Sequence, residues 1–249
     1  IKLNEIDSDY PAFQKAISIG YTGLSSKKIK ELEAFISDYP KSKLRDDAMY
    51  ELGNSYVKAN ETDKAMAIYN RLGNEYKMSS FVPKALLRQG LVYYNSSENE
   101  SALSKFKTVA RDYPGTPEAV QSVATAKLIY IDLGRVDEYA SWVRTLNFVE
   151  VTDSELENAS YEAAEKQYLD GNTDRAIKQF NGYLNQFPNG LYALQSHYYV
   201  AQLYYKKDIL ENATPHYKYI VEASLSEYTE EALTRLSQFY LEKKSWNQA

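Results

Sequence analysis

The chain of 249 residues has no cysteine, only two histidines, ten glycines and seven prolines. Without cysteine there are no disulfides and no thiolate metal sites, although this does not identify a compartment. The two histidines, His197 and His216, map to different helices of one hairpin and read as packing or surface residues rather than a metal pair. No apolar run approaches the roughly 18 residues that suggest a membrane span. Net charge is −5, with acidic and basic residues interspersed. The absence of a basic block argues against a nucleic-acid partner. No glycine-rich phosphate loop is present, and neither a nucleophile elbow nor a Ser/His/Asp constellation can be assembled. The acidic residues are spread as solvated helix faces would be. The expectation is a non-enzymatic chain without metal or cofactor.

What the chain does have is tyrosine, 24 of them against eight phenylalanines and two tryptophans. A tyrosine ring packs while its hydroxyl stays wet, which suits half-buried helix faces and binding surfaces. The chain also has a period. Gly53, Gly90, Lys127, Ala164 and Ala201 are spaced 37 apart, and only Lys127 is large. Ala65, Ala102, Ala176 and Ala213 follow four of them by twelve residues, and Tyr69, Phe106, Phe180 and Tyr217 come four residues later. A fixed period in this range signals a solenoid of stacked units.

One unit can be read from its residues. Met49, Leu52, Gly53 and Tyr56 share a helix face at i, i+3, i+4, i+7. Asn60-Glu61-Thr62-Asp63 interrupts with turn and cap residues. Ala65, Ile68, Tyr69 and Leu72 then restart the stripe. The result is a helix–turn–helix hairpin whose small residues let two helices approach closely. Tyr39-Pro40, Tyr113-Pro114 and Phe187-Pro188 mark second-helix ends, since proline disfavours helical geometry in the residue before it. These prolines are 74 apart, so alternate units share the stop. Asn-x-Ser/Thr triplets at Asn60, Asn95, Asn99, Asn158 and Asn212 read as turn and cap chemistry, with glycan attachment the alternative.

The units around Gly53, Gly90 and Ala201 resemble the tetratricopeptide repeat, as does the second half of the unit around Ala164. The resemblance implies an all-α fold, a right-handed α-α superhelix of about six full repeats plus a partial seventh. The expected array is a single one over 1–249, with repeats at 9–45, 46–82, 83–119, 120–156, 157–193 and 194–229, and a part at 230–249. In the first, Ala16 is kept but Lys28 and Leu32 replace the alanine and aromatic. In the fourth, Lys127 and Tyr139 stand where small residues belong, so its hairpin should be splayed or shifted. The last keeps Ser237, Tyr240 and Ala249. The runs Gly171 to Ile177 with Phe180, Leu184 and Phe187-Pro188, and Phe106 to Ala119, are similar to the bacterial cell-envelope subgroup that includes the TolA-binding protein and the lipoprotein of the outer-membrane assembly machine. That resemblance implies an interaction scaffold in the periplasm or at the outer membrane, meeting membranes only through partners; the alternative is a structural segment of a longer solenoid with no ligand of its own, or an accessory domain of an enzyme.

In such arrays the first helices line a concave groove. Carried over by position, the groove here holds Asp47, Tyr50, Asn54, Lys84, Leu87, Arg88, Leu91 and Tyr94. Ala124, Leu128 and Ile131 follow, then Tyr161, Glu165 and Tyr168, and finally Tyr198, Gln202 and Tyr205. The resemblance implies a protein or peptide ligand, for which rigid amphipathic rings are typical anchors. Helix-to-helix packing is the alternative role for Tyr161, Tyr168, Tyr198 and Tyr205. Tyr56, Tyr69, Tyr93, Phe106, Phe180, Tyr204 and Tyr217 sit at core positions. Chaperone-binding members grip a terminal carboxylate; Lys84 and Arg88 match part of that clamp, but Phe13, Ile17 and Glu51 occupy its other positions, so this mode is not expected.

Overall fold

A computed structural model describes residues 6–243. Among them lie thirteen helices and no strand. They pair as hairpins: α1 (Ile6–Tyr21) with α2 (Ser25–Asp38), α3 (Arg45–Lys58) with α4 (Thr62–Glu75), and α5 (Phe81–Asn95) with α6 (Asn99–Asp112). Then come α7 (Pro117–Asp132) and α8 (Val136–Val143), α9 (Asp153–Leu169) with α10 (Thr173–Gln186), α11 (Ala193–Lys206) with α12 (Leu210–Glu222), and α13 (Thr229–Glu242). The chain divides into two compact units, Ile1–Ala126 with Leu146–Phe148, and Lys127–Thr145 with Val149–Ala249. The division falls beside Lys127, where the period loses its small residue.

The 37-residue period is kept best at the hairpin turn. Second helices begin at Ser25, Thr62, Asn99, Val136, Thr173 and Leu210, each 37 after the last. Two residues before each stands a left-handed residue: Gly23, Asn60, Ser97, Gly134, Gly171 and Asp208, with φ between 60° and 80°. From the second turn onward the next amide donates to the carbonyl five residues back (Glu61 to Tyr56, Glu98 to Tyr93, Arg135 to Tyr130, Asn172 to Gln167, Ile209 to Tyr204) at 2.8–3.0 Å. This six-to-one closure satisfies an orphan carbonyl at a helix end and requires the positive φ. Asn60 and Asp208 tolerate that conformation through their short polar side chains, whereas Ser97 is the poorest of the six choices. Ser97→Gly is therefore expected to stabilise unit 1 by about 0.5–1 kcal/mol, the removed left-handed strain less the extra freedom of an unfolded glycine. A urea midpoint that rises at constant slope is the check; an unchanged midpoint means Ser97 carries no strain.

The small residues answer to the aromatics sixteen positions later. A Cβ at Gly53 would lie 2.3 Å from Tyr69 Cε1, and one at Gly90 would lie 2.5 Å from Phe106 Cε1. The ring of the second helix thus lies directly on the backbone of the first. Ala164 and Ala201 keep the pairing with Phe180 and Tyr217, all four buried. At Lys127 the sixteenth residue on is Val143, fully buried, so the unit that gains a long side chain at one position gives up the ring at the other. The fourth hairpin differs from the rest chiefly in α8, which has only eight residues. Tyr139 is accommodated there by packing at 6.1 Å on Tyr130 and 6.3 Å on Trp142.

Of the expected core aromatics, Tyr56, Tyr69, Phe106, Phe180 and Tyr217 are buried, while Tyr93 and Tyr204 are half-buried. The stop at Tyr39, Tyr113 and Phe187 recurs at Tyr76, followed by Lys77 instead of proline. All four adopt φ between −132° and −117° with ψ of 52–65°, and each amide donates to the carbonyl four residues back. The second hairpin thus ends as the proline-bearing ones do, whereas α8 and α12 end differently, with Arg144 helical and Ala223 extended. In the first hairpin Leu32 is fully buried, and the Lys28 stem runs over Gly20, where a Cβ would meet Lys28 Cδ at 2.7 Å. In the last unit Tyr240 is buried and Ser237 half-buried; Ala249 lies outside the described residues.

One core feature was not legible in advance. Arg45 is 8% exposed; its Nε donates to the Ile36 carbonyl at 3.1 Å, and its Nη1 donates to Glu75 at 2.6 Å and to the Tyr76 hydroxyl at 3.0 Å. This buried charge is tolerated because its donors find partners on two neighbouring helices.

Candidate functional site: first-helix faces of the two units

In unit 1, α3 and α5 carry the expected residues. Tyr50 packs 5.4 Å from Phe81 and 6.3 Å from Tyr69, and its hydroxyl is among the groups that raise the Arg88 guanidinium. Asn54 accepts a hydrogen bond from Tyr69 at 2.8 Å, so it braces the hairpin. Lys84 Nζ lies 4.9 Å from the Phe81 ring centroid. Leu91 and Tyr94 are half-buried, Arg88 is exposed, and Leu87 is buried. Beside them a cavity of about 420 Å³ is lined by Phe13, Ile17, Lys28, Asp47, Glu51 and Asn54, among others. Lys28 Nζ bonds Glu51 at 2.6 Å across it. Burial, followed by the charges of Glu51 and Asp46, pushes the Asp47 carboxyl above its ordinary value. Phe13, Ile17 and Glu51 line this cavity together with Lys28 and Lys58.

In unit 2, α9, α11 and α13 place tyrosines side by side. Tyr161 stacks on Tyr192 with centroids 4.2 Å apart, Tyr168 on Tyr199 at 4.5 Å, and Tyr198 on Tyr228 at 4.2 Å. Tyr198 and Tyr199 lie 6.0 Å apart, which joins the last two pairs into one row. Polar side chains hold the hydroxyls. Tyr161 donates to Glu165 at 2.9 Å, and Tyr198 donates to Glu231 at 2.7 Å. Gln202 donates to Tyr198 at 2.5 Å. Arg235 donates to Tyr205 at 3.0 Å, its guanidinium 4.2 Å from that ring's centroid. Burial, and next the adjoining carboxylate, pushes the Tyr161 and Tyr198 hydroxyls well up, so both stay neutral donors. Burial likewise leads in raising Tyr217 and Tyr228 to about 12.

Tyr161 is 5% exposed, so packing is the role it takes. Tyr168, Tyr198, Gln202 and Tyr205 are half-buried, each with an edge toward solvent. Of the three other groove positions, Ala124 and Leu128 are exposed and Ile131 is buried.

Sequence reasoning missed Tyr192, Tyr199, Tyr228, Glu231 and Arg235. A signal existed for Arg235. It stands 36 residues after Tyr199, in a unit one residue short, and Tyr205 stands 37 after Tyr168. The guanidinium over Tyr205 repeats the stack of Tyr199 on Tyr168, with a cation replacing a ring. His197 and His216 are also brought together, Nδ1 to Nδ1 at 2.8 Å, although they lie on different helices. Among the described residues no group of three or more His, Cys, Asp or Glu is arranged to hold a metal ion, and no helix is long and apolar enough to cross a membrane.

Residues 47–77 and 84–116 match the family model described as the tetratricopeptide repeat. No curated protein sequence matches the chain. Among solved structures, it is similar to the C-terminal part of a TPR repeat-containing protein from Cytophaga hutchinsonii (14% identity, 93% of this chain and 89% of that one, TM-score 0.50). It is also similar to a tetratricopeptide repeat protein from Parabacteroides merdae (16% identity, 97% and 89%, TM-score 0.49) and to pilF of Pseudomonas aeruginosa (14% identity, 92% and 98%, TM-score 0.44). At 14% identity the likeness to the Cytophaga hutchinsonii protein is one of fold.

Proposed function

We propose that the chain is a non-enzymatic interaction scaffold that binds a protein segment on the tyrosine face of α9, α11 and α13. Helical arrays of the tetratricopeptide type generally mediate protein–protein interaction, and the row Tyr168–Tyr199–Tyr198–Tyr228 carries the assignment to this face. Its rings are held at fixed spacing by stacking and the Tyr198 hydroxyl is aimed by Glu231 and Gln202, so little side-chain freedom is lost when a partner covers them. Rings pre-ordered in this way, beside the Tyr205–Arg235 stack, fit the aromatic and arginine anchors that dominate interface energetics. The envelope setting suggested by Gly171 to Pro188 and by Phe106 to Ala119 is part of the proposal, as is a single array over the whole chain.

Alanine at Tyr168 and at Tyr205 tests it, both rings being half-buried and removable with modest loss of packing. Each is expected to weaken partner capture from a bacterial envelope extract tenfold or more, the effect of losing an interface anchor of about 1.4 kcal/mol or above, while circular dichroism stays unchanged. Full capture of every partner by both variants overturns the assignment.

A further inference from the structure

The pairing of His197 and His216 has no part in the face described above, yet it sits directly behind it. His197 precedes Tyr198 on α11, and His216 lies on α12. Their Nδ1 atoms are 2.8 Å apart, a distance at which one ring must donate and the other accept. The His197 ring also stacks on Tyr219, with centroids 3.8 Å apart and 17° between planes. This hydrogen bond joins the two helices of one hairpin and needs at least one Nδ1 without a proton.

We propose that His197 and His216 form an acid-sensitive latch that holds α11 against α12 while the pair is neutral and releases the hairpin when both rings are protonated. One proton added to the pair leaves an imidazolium donating to an imidazole, and the contact survives. A second proton sets two N–H donors and two positive charges face to face with no acceptor between them. The surroundings offer nothing to offset this. From α12 the pair is faced by Tyr219, and on α11 by Tyr204, 6.2 Å from His216; both are phenols, neutral throughout the acid range. No carboxylate or cation of α10, α11, α12 or α13 contributes to the shift of either imidazole, whose only charged influence is His216 acting on His197.

The direction of the pH effect follows. Burial, joined for His197 by the charge of His216, lowers both rings from 6.5 to about 4. The folded state therefore binds fewer protons than the unfolded chain between these values. Stability is undiminished above pH 6.5 and falls as pH drops toward 4, with up to two protons taken up on opening. Because the two sites interact, the two steps belong to the pair rather than to either ring. Residues Tyr198, Gln202 and Tyr205 ride on the same helix, so opening the latch also disturbs the proposed binding face; this consequence rests on that reading, whereas the latch does not.

The test needs no partner. Amide hydrogen exchange of α12, in the full chain, is measured from pH 7 to pH 4 after correction for intrinsic rates, together with the imidazole titrations by NMR. The wild type is expected to lose α12 protection below pH 6 at least tenfold more than α4, with both rings titrating near 4. In His197→Asn/His216→Asn, whose amides retain a neutral donor and acceptor, the acid-specific loss should disappear. His216→Phe, which leaves one titrating ring but no facing pair, is the second variant if the double one folds poorly, and its acid-specific loss should be clearly smaller than that of the wild type. An equal acid loss in α4, an unchanged loss in the variants, or imidazoles titrating near 6.5 overturns the latch. If α12 opens in acid while alanine at Tyr168 and Tyr205 leaves capture intact, the latch stands and the binding face falls.

Discussion

Valine in place of Gly53 is expected to destabilise unit 1 by about 3 kcal/mol, the upper range for overpacking a filled core. A Cβ there would sit 2.3 Å from Tyr69 Cε1, well inside van der Waals contact. The ring has nowhere to go. It is 2% exposed, and its hydroxyl is tied to Asn54, one residue from the glycine on the same helix. Helix propensity acts the other way, since valine is a better helix former than glycine by a few tenths of a kcal/mol, so the loss is steric. Chemical denaturation supplies the number, and a double-mutant cycle supplies the cause. With Tyr69→Leu already in place, Gly53→Val should cost much less than it does alone. Strict additivity would mean that the small residue and the ring are not each other's reason.

Phe180→Ala carries the other large effect, a loss of about 4 kcal/mol in unit 2. Phe180 is fully buried, with ring centroids 6.0 Å from Tyr161 and 5.3 Å from Tyr199. The cavity left by its removal lies under the ring on which Tyr168 stacks. Stability and the tyrosine row should therefore fail together, visible as a lower denaturation midpoint and a collapsed near-ultraviolet dichroism signal. Loss of stability with the aromatic signal intact would separate the row from its support.

These two substitutions also show why the fold was legible. Gly53 with Tyr69, Gly90 with Phe106, Ala164 with Phe180 and Ala201 with Tyr217 follow one steric rule at a constant separation of sixteen, and a rule tied to spacing can be read from a string of residues. The turn rule was half visible, because Gly23, Gly134 and Gly171 announce a left-handed residue while Ser97 does not. The site was less legible. Placing Tyr168, Tyr198 and Tyr205 on one face needed only the period. Distinguishing the buried Tyr161 from the half-buried Tyr168 needed the packing of Tyr192, which stands three periods after Phe81 and covers Tyr161 as Phe81 covers Tyr50. Arg235 was hidden because its unit is one residue short, so a search at 37 misses it. The histidine contact depends on how two helices of a hairpin face each other, which helix assignment alone does not set.

The central claim is that the tyrosine face of α9, α11 and α13 is where a partner sits. A photo-crosslinking amino acid placed singly at positions 168, 205 and 178 tests it most directly, because Lys178 is exposed on α10, a second helix. The same partner polypeptide should be trapped from positions 168 and 205 and not from 178. Equal trapping from all three, or trapping from 178 alone, would contradict the account.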